Sequence, residues 1–369
     1  MYLLEMFSWK SKLSCSGNGT HRIESVTADD HLKTDSSAGA IADPGAALFS
    51  YGERYIDVQG AWQEDRRGII TFAFIGIMYL LQYMALFGNV VPGIKDLISG
   101  LDPLGRPLTA EGYIFSPLFI LMWVVANVVF FRFAWRWLRL EIFVQRRIVV
   151  RFNRITKQVH LNRPTYAGGV VTFPWEATIA DMAGGEGSSK NEGGTLLLAW
   201  PSHYSGAGFD DLCIVGGAVE NRQQAEALWE YIRRYMEQGP SAAPRPARLR
   251  PLFPWPWDSV RSTLSFLVPS WRTGDKGLVL TFALILSPLL LLHSLCHWLS
   301  LLLCWPTWWP KTIRSAGLPD APVPRLTVAE DFGVEVAGKL RASVITVVEK
   351  PGSHANPHNA VDSAGVDSK

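Results

Sequence analysis

Three uncharged stretches constrain this chain more than any other feature. Ile69 to Val91 reads IITFAFIGIMYLLQYMALFGNVV, 23 residues without a charge; Gly112 to Phe131 adds 20 more and Gly277 to Trp305 another 29. As a helix the first would be about 34 Å long at ~1.5 Å per residue, enough to cross a hydrocarbon core of roughly 30 Å. Buried helices of soluble domains rarely run uncharged beyond about 14 residues, so each stretch reads as a membrane span. Composition agrees: 18% of the chain is charged, against about 25% in soluble proteins, and the mean hydropathy is +0.11. Trp135 and Trp137 follow the second stretch, and Trp305, Trp308 and Trp309 close the third. Such rings favour the headgroup level.

Lys and Arg near span ends orient the chain. Arg54, Arg66 and Arg67 precede the first span, whereas the loop from Pro92 to Glu111 carries only Lys95 and Arg106. Arg132, Arg136, Arg139, Arg146, Arg147, Arg151, Arg154 and Lys157 follow the second. The N-terminus and residues 132–276 are therefore expected in the cytoplasm and the short loop outside. The third stretch is less decided. A single crossing, the favoured reading, would leave the tail outside. Pro288 removes a backbone donor, and a broken, re-entrant hairpin would keep both ends inside, with arms too short to span.

Several classes are set aside. A net charge of +2 gives no drive towards nucleic acid. Four cysteines with no C-x-x-C pair make neither a disulfide scaffold nor a redox or zinc motif. Glu5 interrupts the only apolar start, so no cleavable signal peptide is expected. Cys15 in KLSC is not a lipoprotein box, because Lys12 stands where an aliphatic residue belongs.

The remainder divides by composition. Residues 1–50 read as a flexible arm, poor in large apolar residues from about Ser11 onwards. Residues 51–137 form a membrane hairpin with helices at 69–91 and 112–131, and 138–238 a cytoplasmic β-rich domain with a closing helix. A Pro-rich linker covers 239–276, a third transmembrane helix 277–305 and a tail 306–369. Within the tail, Thr327–Val348 is apolar enough for a strand pair or a helix.

In the domain, Ile148, Val150 and Phe152 alternate on one face, and Val159 and Leu161 answer them across a turn at Asn153–Lys157, a hairpin pattern. Short strands are predicted at Gly169–Phe173, Ala177–Met182, Thr195–Trp200 and Asp211–Val215, and a flexible loop at Gly184–Gly194. Asn221 with Gln224 forms a capping-box signal. Ala225, Leu228, Trp229, Ile232, Tyr235 and Met236 then recur at helical spacing, leaving Glu226, Glu230, Arg233, Arg234 and Glu237 towards water. The fold class is thus membrane α + β: three transmembrane helices with an inserted cytoplasmic α+β domain, a β-meander plus C-terminal helix. Its element order is similar to a pleckstrin-homology-like module.

The paired spans, the Arg-rich exit WRWLRLEIFVQRRIVVRFNRITKQVHLNR, Phe152-Asn153-Arg154 leading to Phe173-Pro174-Trp175-Glu176, and the closing AEALWEYIRRYME helix resemble a family of membrane proteins. It is a proteobacterial domain-of-unknown-function family, often encoded beside type VI secretion loci, and the resemblance covers about Tyr51 to Pro310. It implies a multi-pass protein of the bacterial inner membrane, with a secretion-associated or immunity role, and carries over no catalytic residue.

Few residues suggest chemistry. His293, Cys296 and His297 cluster in the third stretch, with the two imidazoles at i, i+4 on one helix face, a spacing that could hold a metal. Neutral histidines that hydrogen-bond between helices are the favoured account, since no third ligand or carboxylate support is evident. Gln82, Asn89 and Asn127 read as interhelical hydrogen-bonding residues. Ser202, His203, Asp210 and Asp211 read as loop polarity, because no G-x-S-x-G elbow accompanies them. Gly184–Gly194 matches no phosphate-binding pattern. Arg132, Arg136, Arg139, Arg146 and Arg147 are candidates for lipid headgroups, at about 1 kcal/mol for each basic residue near the surface.

The reading is an integral inner-membrane protein that tethers a cytoplasmic protein-binding domain, in a type VI secretion context. The alternatives are an immunity protein against a membrane-acting toxin, and a membrane-bound enzyme using His293, Cys296 and His297. An enzyme is the less favoured class. Expected partners are the bilayer and either a protein or a second copy, with no nucleic acid and no cofactor.

Overall fold

The computed structural model of the chain describes residues 3–14, 32–35, 37, 39, 41–60, 67–88, 90–183, 195–216, 222–272 and 274–348. The strands are β1 (Leu32–Lys33), β2 (Leu48–Tyr51), β3 (Tyr55–Gln59), β4 (Val149–Asn153), β5 (Gln158–Asn162), β6 (Val170–Pro174), β7 (Ile179–Ala183), β8 (Thr195–Trp200) and β9 (Asp211–Val215). The helices are α1 (Leu3–Leu13), α2 (Ile69–Phe87), α3 (Val90–Ser99), α4 (Ala110–Leu138), α5 (Ser202–Ser205), α6 (Arg222–Glu237), α7 (Pro256–Leu264), α8 (Val268–Arg272), α9 (Lys276–Ile285), α10 (Ser287–Leu302), α11 (Lys311–Ser315) and α12 (Val334–Val348).

Two antiparallel sheets, ordered β2-β3-β4-β5-β6 and β1-β7-β8-β9, make an α+β domain. The predicted hairpin is β4–β5, with Phe152 opposite Val159 and Val150 opposite Leu161. Its turn is built by Asn153, whose Oδ1 accepts from the Ile155 and Thr156 amides at 3.1 and 3.2 Å, an Asx turn. A bridge from Gly60 to Val215 and a 2.7 Å bond from the Gly216 amide to the Gln59 carbonyl join the sheets at one corner.

Alternation sorts the residues of the five-stranded sheet. Ile56, Val58, Val150, Phe152, Val159, Leu161, Val171 and Phe173 point into the core. There they meet Trp175, Trp200 and, from α6, Trp229, Ile232 and Tyr235. The Phe173 and Trp200 rings stack at 5.0 Å, and the Trp175 and Trp229 rings lie 5.4 Å apart.

Parts of residues 1–50 pack against the domain, unlike the expected flexible arm. Trp9 of α1 packs against Phe332 with ring centroids 4.9 Å apart, and Leu48 lies in the core. Ser37 donates to Glu230 at 3.1 Å, and the Asp43 amide to the Ala227 carbonyl at 3.2 Å. These contacts cover the outer face of α6. Glu230 and Arg233, expected to face water, are consequently buried and paired at 2.8 Å. Asn221, the Gly184–Gly194 loop, Asn89 and the chain beyond Val348 lie outside the described residues.

The Pro-rich stretch is also less detached than its composition implies. The Tyr51 hydroxyl donates to the Ala243 carbonyl at 2.9 Å, and the Arg250 amide to the Leu48 carbonyl at 2.7 Å. Thr327–Val348 resolves as a short 3-10 turn, Ala329–Phe332, followed by α12.

The first two apolar stretches form helices long and apolar enough to cross a membrane. None of the most apolar window of α4 is buried within the protein, and 11% of that of Ile69–Ser99 is. The third departs from a single straight helix. It breaks at Leu286 into α9 and α10, bent 73° apart, with Pro288 in the first turn of α10.

Candidate functional site

The α2/α4 hairpin emerges between two paired strands, and at its base a set of buried polar side chains joins it to the domain and to α10. α2 begins at Gly68, whose φ of 94° suits glycine. A Cβ there would lie 2.6 Å from the His297 backbone nitrogen, so glycine permits the close approach of α2 and α10.

No side chain of the N-cap residue satisfies the first amides of α2. Glu141, fully buried just after α4, does so instead. Its carboxylate accepts from the Ile70 amide at 3.2 Å and from the Thr71 amide and hydroxyl at 2.9 Å each. A carboxylate at a helix N-terminus also meets the positive end of the helix dipole. The complementary end is α10, whose last carbonyls face Arg146: Nε donates to the Leu301 carbonyl at 3.0 Å and a terminal nitrogen to that of Cys304 at 3.2 Å. Buried Arg67 donates to the Arg146 and Glu141 carbonyls at 2.7 and 2.5 Å and lies 2.7 Å from Cys304 Sγ. The 141–147 turn therefore holds the start of α2, the end of α4 and the end of α10 together.

This placement divides the arginines read as headgroup ligands. Arg132, Arg136 and Arg139 are exposed along the end of α4. Arg146 and Arg147 instead turn inwards. Burial, reinforced by Arg250 nearby, pulls Arg147 down to about 10.

The two histidines of α10 face α7. Thr263 Oγ1 lies 3.0 Å from His293 Nδ1, and Ser259 Oγ 2.9 Å from His297 Nδ1. Both imidazoles thus engage α7, and Cys296 is buried without converging on them as a ligand set. Among the described residues no group of three or more His, Cys, Asp or Glu side chains is placed to hold a metal ion.

On the outer face of the five-stranded sheet, four polar residues stand in register across four strands: Asp57, Arg151, His160 and Thr172. Arg151 pairs with Asp57 through two bonds of 2.7 and 2.8 Å, its guanidinium 3.7 Å from the Tyr55 ring centroid and 4.7 Å from that of Trp309. Burial pushes the Asp57 carboxyl above its usual value in spite of Arg151. His160 Nδ1 lies 2.9 Å from Thr172 Oγ1. Burial, then the charge of Arg151, lowers the His160 ring to about 3.

The chain after α10 covers this face. Asn162, Asn153 and Gln158 donate to the carbonyls of Trp308, Ala316 and Pro324 at 2.8, 3.2 and 2.7 Å, and the Thr327 amide to that of Thr172 at 2.9 Å.

Asp211 accepts from Lys12 at 2.6 Å and from Arg163 at 2.5 Å, fixing α1 to β9. Burial alone would raise this carboxyl, but Arg163 and Lys12 outweigh it and hold it below the carboxylate range. Asp210 accepts from the Ser202 amide at 2.7 Å. The acids beside Ser202 and His203 are therefore engaged in structure.

Sequence reasoning missed Glu141, Asp57 and the covering segment. The alternate residues Arg151 and Asn153, with Gln158, His160 and Asn162, carried the signal: a face too polar to be left bare.

The molecule defined by these features is an α+β domain joined through a buried polar joint to two apolar helices long enough to cross a membrane. The chain belongs to the family of unknown function DUF6708, whose model matches residues 127–317, just over half of the chain. No curated protein and no solved structure matches it. The family match starts inside α4 and ends just beyond α11, so it takes in Glu141, Arg146, β4–β9 and most of the covering segment. β2, β3 and α2, which complete the same sheet and joint, lie outside it.

Proposed function

We propose that this chain is an integral protein of the bacterial inner membrane, crossing it through α2 and α4, and that it holds its α+β domain at the cytoplasmic surface to bind a protein partner. One observation carries the reading. β3 and β4 are in-register neighbours although α2, α3 and α4 all lie between them in the chain. The hairpin is thus an insertion in a single strand-to-strand connection, and the domain cannot leave the bilayer surface without unfolding. The exposed Arg132, Arg136 and Arg139 support a cytoplasmic exit. Seven strands, β3 to β9, followed by α6 support a pleckstrin-homology-like description, which speaks to shape and not to activity.

Type VI secretion and protection against a membrane-acting toxin are the contexts in which the partner is sought. The anchoring is tested by alkaline carbonate extraction: the protein is expected to stay in the membrane pellet, and release into the supernatant would refute the reading. A defined protein that co-purifies with the full chain supports the binding role. Survival of cells exposed to a neighbouring toxin separates immunity from tethering.

A further inference from the structure

The third apolar stretch is tied to the domain at both ends. On entry, the Ala243 carbonyl accepts from Tyr51 and the Arg250 amide bonds to Leu48, both of β2. On exit, the Trp305 amide donates to the Val144 carbonyl at 2.9 Å, and the following residues lie across β4, β5 and β6 as described. Between these ties the chain goes out and comes back. α7 and α10 run antiparallel, with three rungs: Trp298 Nε1 to the Pro254 carbonyl at 3.0 Å, His297 with Ser259, and His293 with Thr263.

Neither arm of the bent pair can cross alone. α9 has 10 residues and α10 has 16, about 15 and 24 Å at ~1.5 Å per residue, short of a core of roughly 30 Å. The polar side chains of α7 and α10 face each other, while Leu278, Leu280, Leu284, Ile285, Leu289 and Leu291 are exposed around the bend. At the base, Trp255 and Trp257 stack at 4.7 Å and are also exposed. Rings at that position suit the headgroup layer. The apolar surface is continuous with the hairpin, because α10 touches α2 at Gly68 and His297.

We infer that residues 254–272 and 274–305 are a wedge that enters and leaves the bilayer on the domain's side, with lipid acyl chains as the occupant of its apolar surface. The tail through α12 therefore shares the domain's compartment. Like the re-entrant alternative, the wedge keeps both ends on one side, but its outgoing arm is α7 and not the first half of the third stretch. At the Leu286 break the backbone stays paired, the Leu286 amide donating to the Phe282 carbonyl at 3.0 Å and the Leu290 amide to the Leu286 carbonyl at 2.9 Å, as a hydrocarbon setting requires. The inference rests on the reading of α2 and α4 as spans.

The test uses the full chain with cysteines at exposed positions, labelled by a membrane-impermeant maleimide in intact and permeabilised cells over the background of the parent. Tyr204→Cys on the domain and Val334→Cys at the start of α12 are expected to label alike, only after permeabilisation of the inner membrane. Leu104→Cys, between α2 and α4, is expected to label without it. Val334→Cys labelling in the opposite compartment from Tyr204→Cys overturns the wedge and leaves the hairpin intact. Leu104→Cys labelling like the other two refutes the spanning hairpin instead. A spin label on Leu284→Cys in reconstituted vesicles then decides lipid contact independently. More frequent collisions with oxygen than with a water-soluble nickel chelate are expected, and the reverse order overturns the wedge.

Discussion

In the α+β domain the large side chains point inwards, and the buried carboxylates Asp57, Asp211 and Glu230 each meet at least one cation. In the α2/α4 hairpin the large side chains point outwards, and what joins the helices is a neutral amide contact, Gln82 Nε2 to Asn127 Oδ1 at 3.0 Å. Trp123 adds a 3.3 Å bond to the Leu81 carbonyl, and Phe74 stacks on Phe130 at 5.3 Å. The contrast is what the proposed membrane placement of the hairpin would require. Water drives the domain's apolar residues inwards. Once water is excluded, ions are tolerated there only with partners. In the proposed lipid setting, a helix whose outward face is Leu, Ile, Val and Phe would have no such driving force, and packing with a few hydrogen bonds would hold the pair. Glu141, Arg67 and Arg146 sit where the two regions meet and bond backbone groups at and beside the helix ends.

The comparison predicts different costs in the two regions. Asp211→Ala should be the most damaging change, because it leaves Lys12 and Arg163 buried without their counter-ion; loss of one partner of a buried pair costs about 3–5 kcal/mol. Denaturant titration of the protein in detergent would show it, and a loss below 1 kcal/mol, the scale of an exposed pair, would break the contrast. At the boundary, Glu141→Ala strands two amides and a hydroxyl. A loss of about 1–3 kcal/mol is expected, with a smaller one for Glu141→Gln, which keeps an acceptor; equal losses would show that the capping geometry is not what matters.

The polar face of the sheet predicts a pH dependence. The folded state keeps His160 neutral down to about pH 3, whereas the unfolded ring takes up a proton near its ordinary value of about 6.5. The unfolded chain then binds more protons throughout that window, so stability falls as pH drops from about 6.5 towards 3. The slope is about 1.4 kcal/mol per pH unit, roughly 2 kcal/mol between pH 6.5 and 5. His160→Asn should flatten this part of the melting-temperature profile, and an unchanged profile would place the titrating group elsewhere. The smallest effect is expected for Gln82→Leu in the hairpin. Hydrogen bonds between membrane helices average about 0.6 kcal/mol, so unfolding in mixed micelles should shift little, and a loss of several kcal/mol would mean that the contact is doing more than joining two helices.

Much of the local structure was legible because it follows from neighbouring residues. The uncharged lengths of the first two stretches, the alternation around Val150 and Phe152, and the 3.6-residue spacing of α6 each depend on a short window, and each element forms where its pattern lies. The candidate site was legible only in part. His293 and His297 share a helix face as their spacing requires, yet their partners are the hydroxyls of Thr263 and Ser259, which spacing within α10 cannot reveal. Arg146 and Arg147 read as surface charge beside Arg132 and Arg139. Only the carbonyls of Leu301 and Cys304, supplied from far along the chain, turn Arg146 inwards.

The amino-acid sequence by itself determined the kinds of element this protein contains, because hydrophobic length and periodicity act over one helix or one strand at a time. The tertiary structure alone decided that Tyr55–Gln59 joins the sheet across an entire apolar helical hairpin, that Ser37 reaches Glu230, and that the third apolar stretch bends and returns to the domain. Those outcomes depend on which distant backbone donors and acceptors find one another as water is squeezed out between surfaces, and a linear pattern carries no record of that competition.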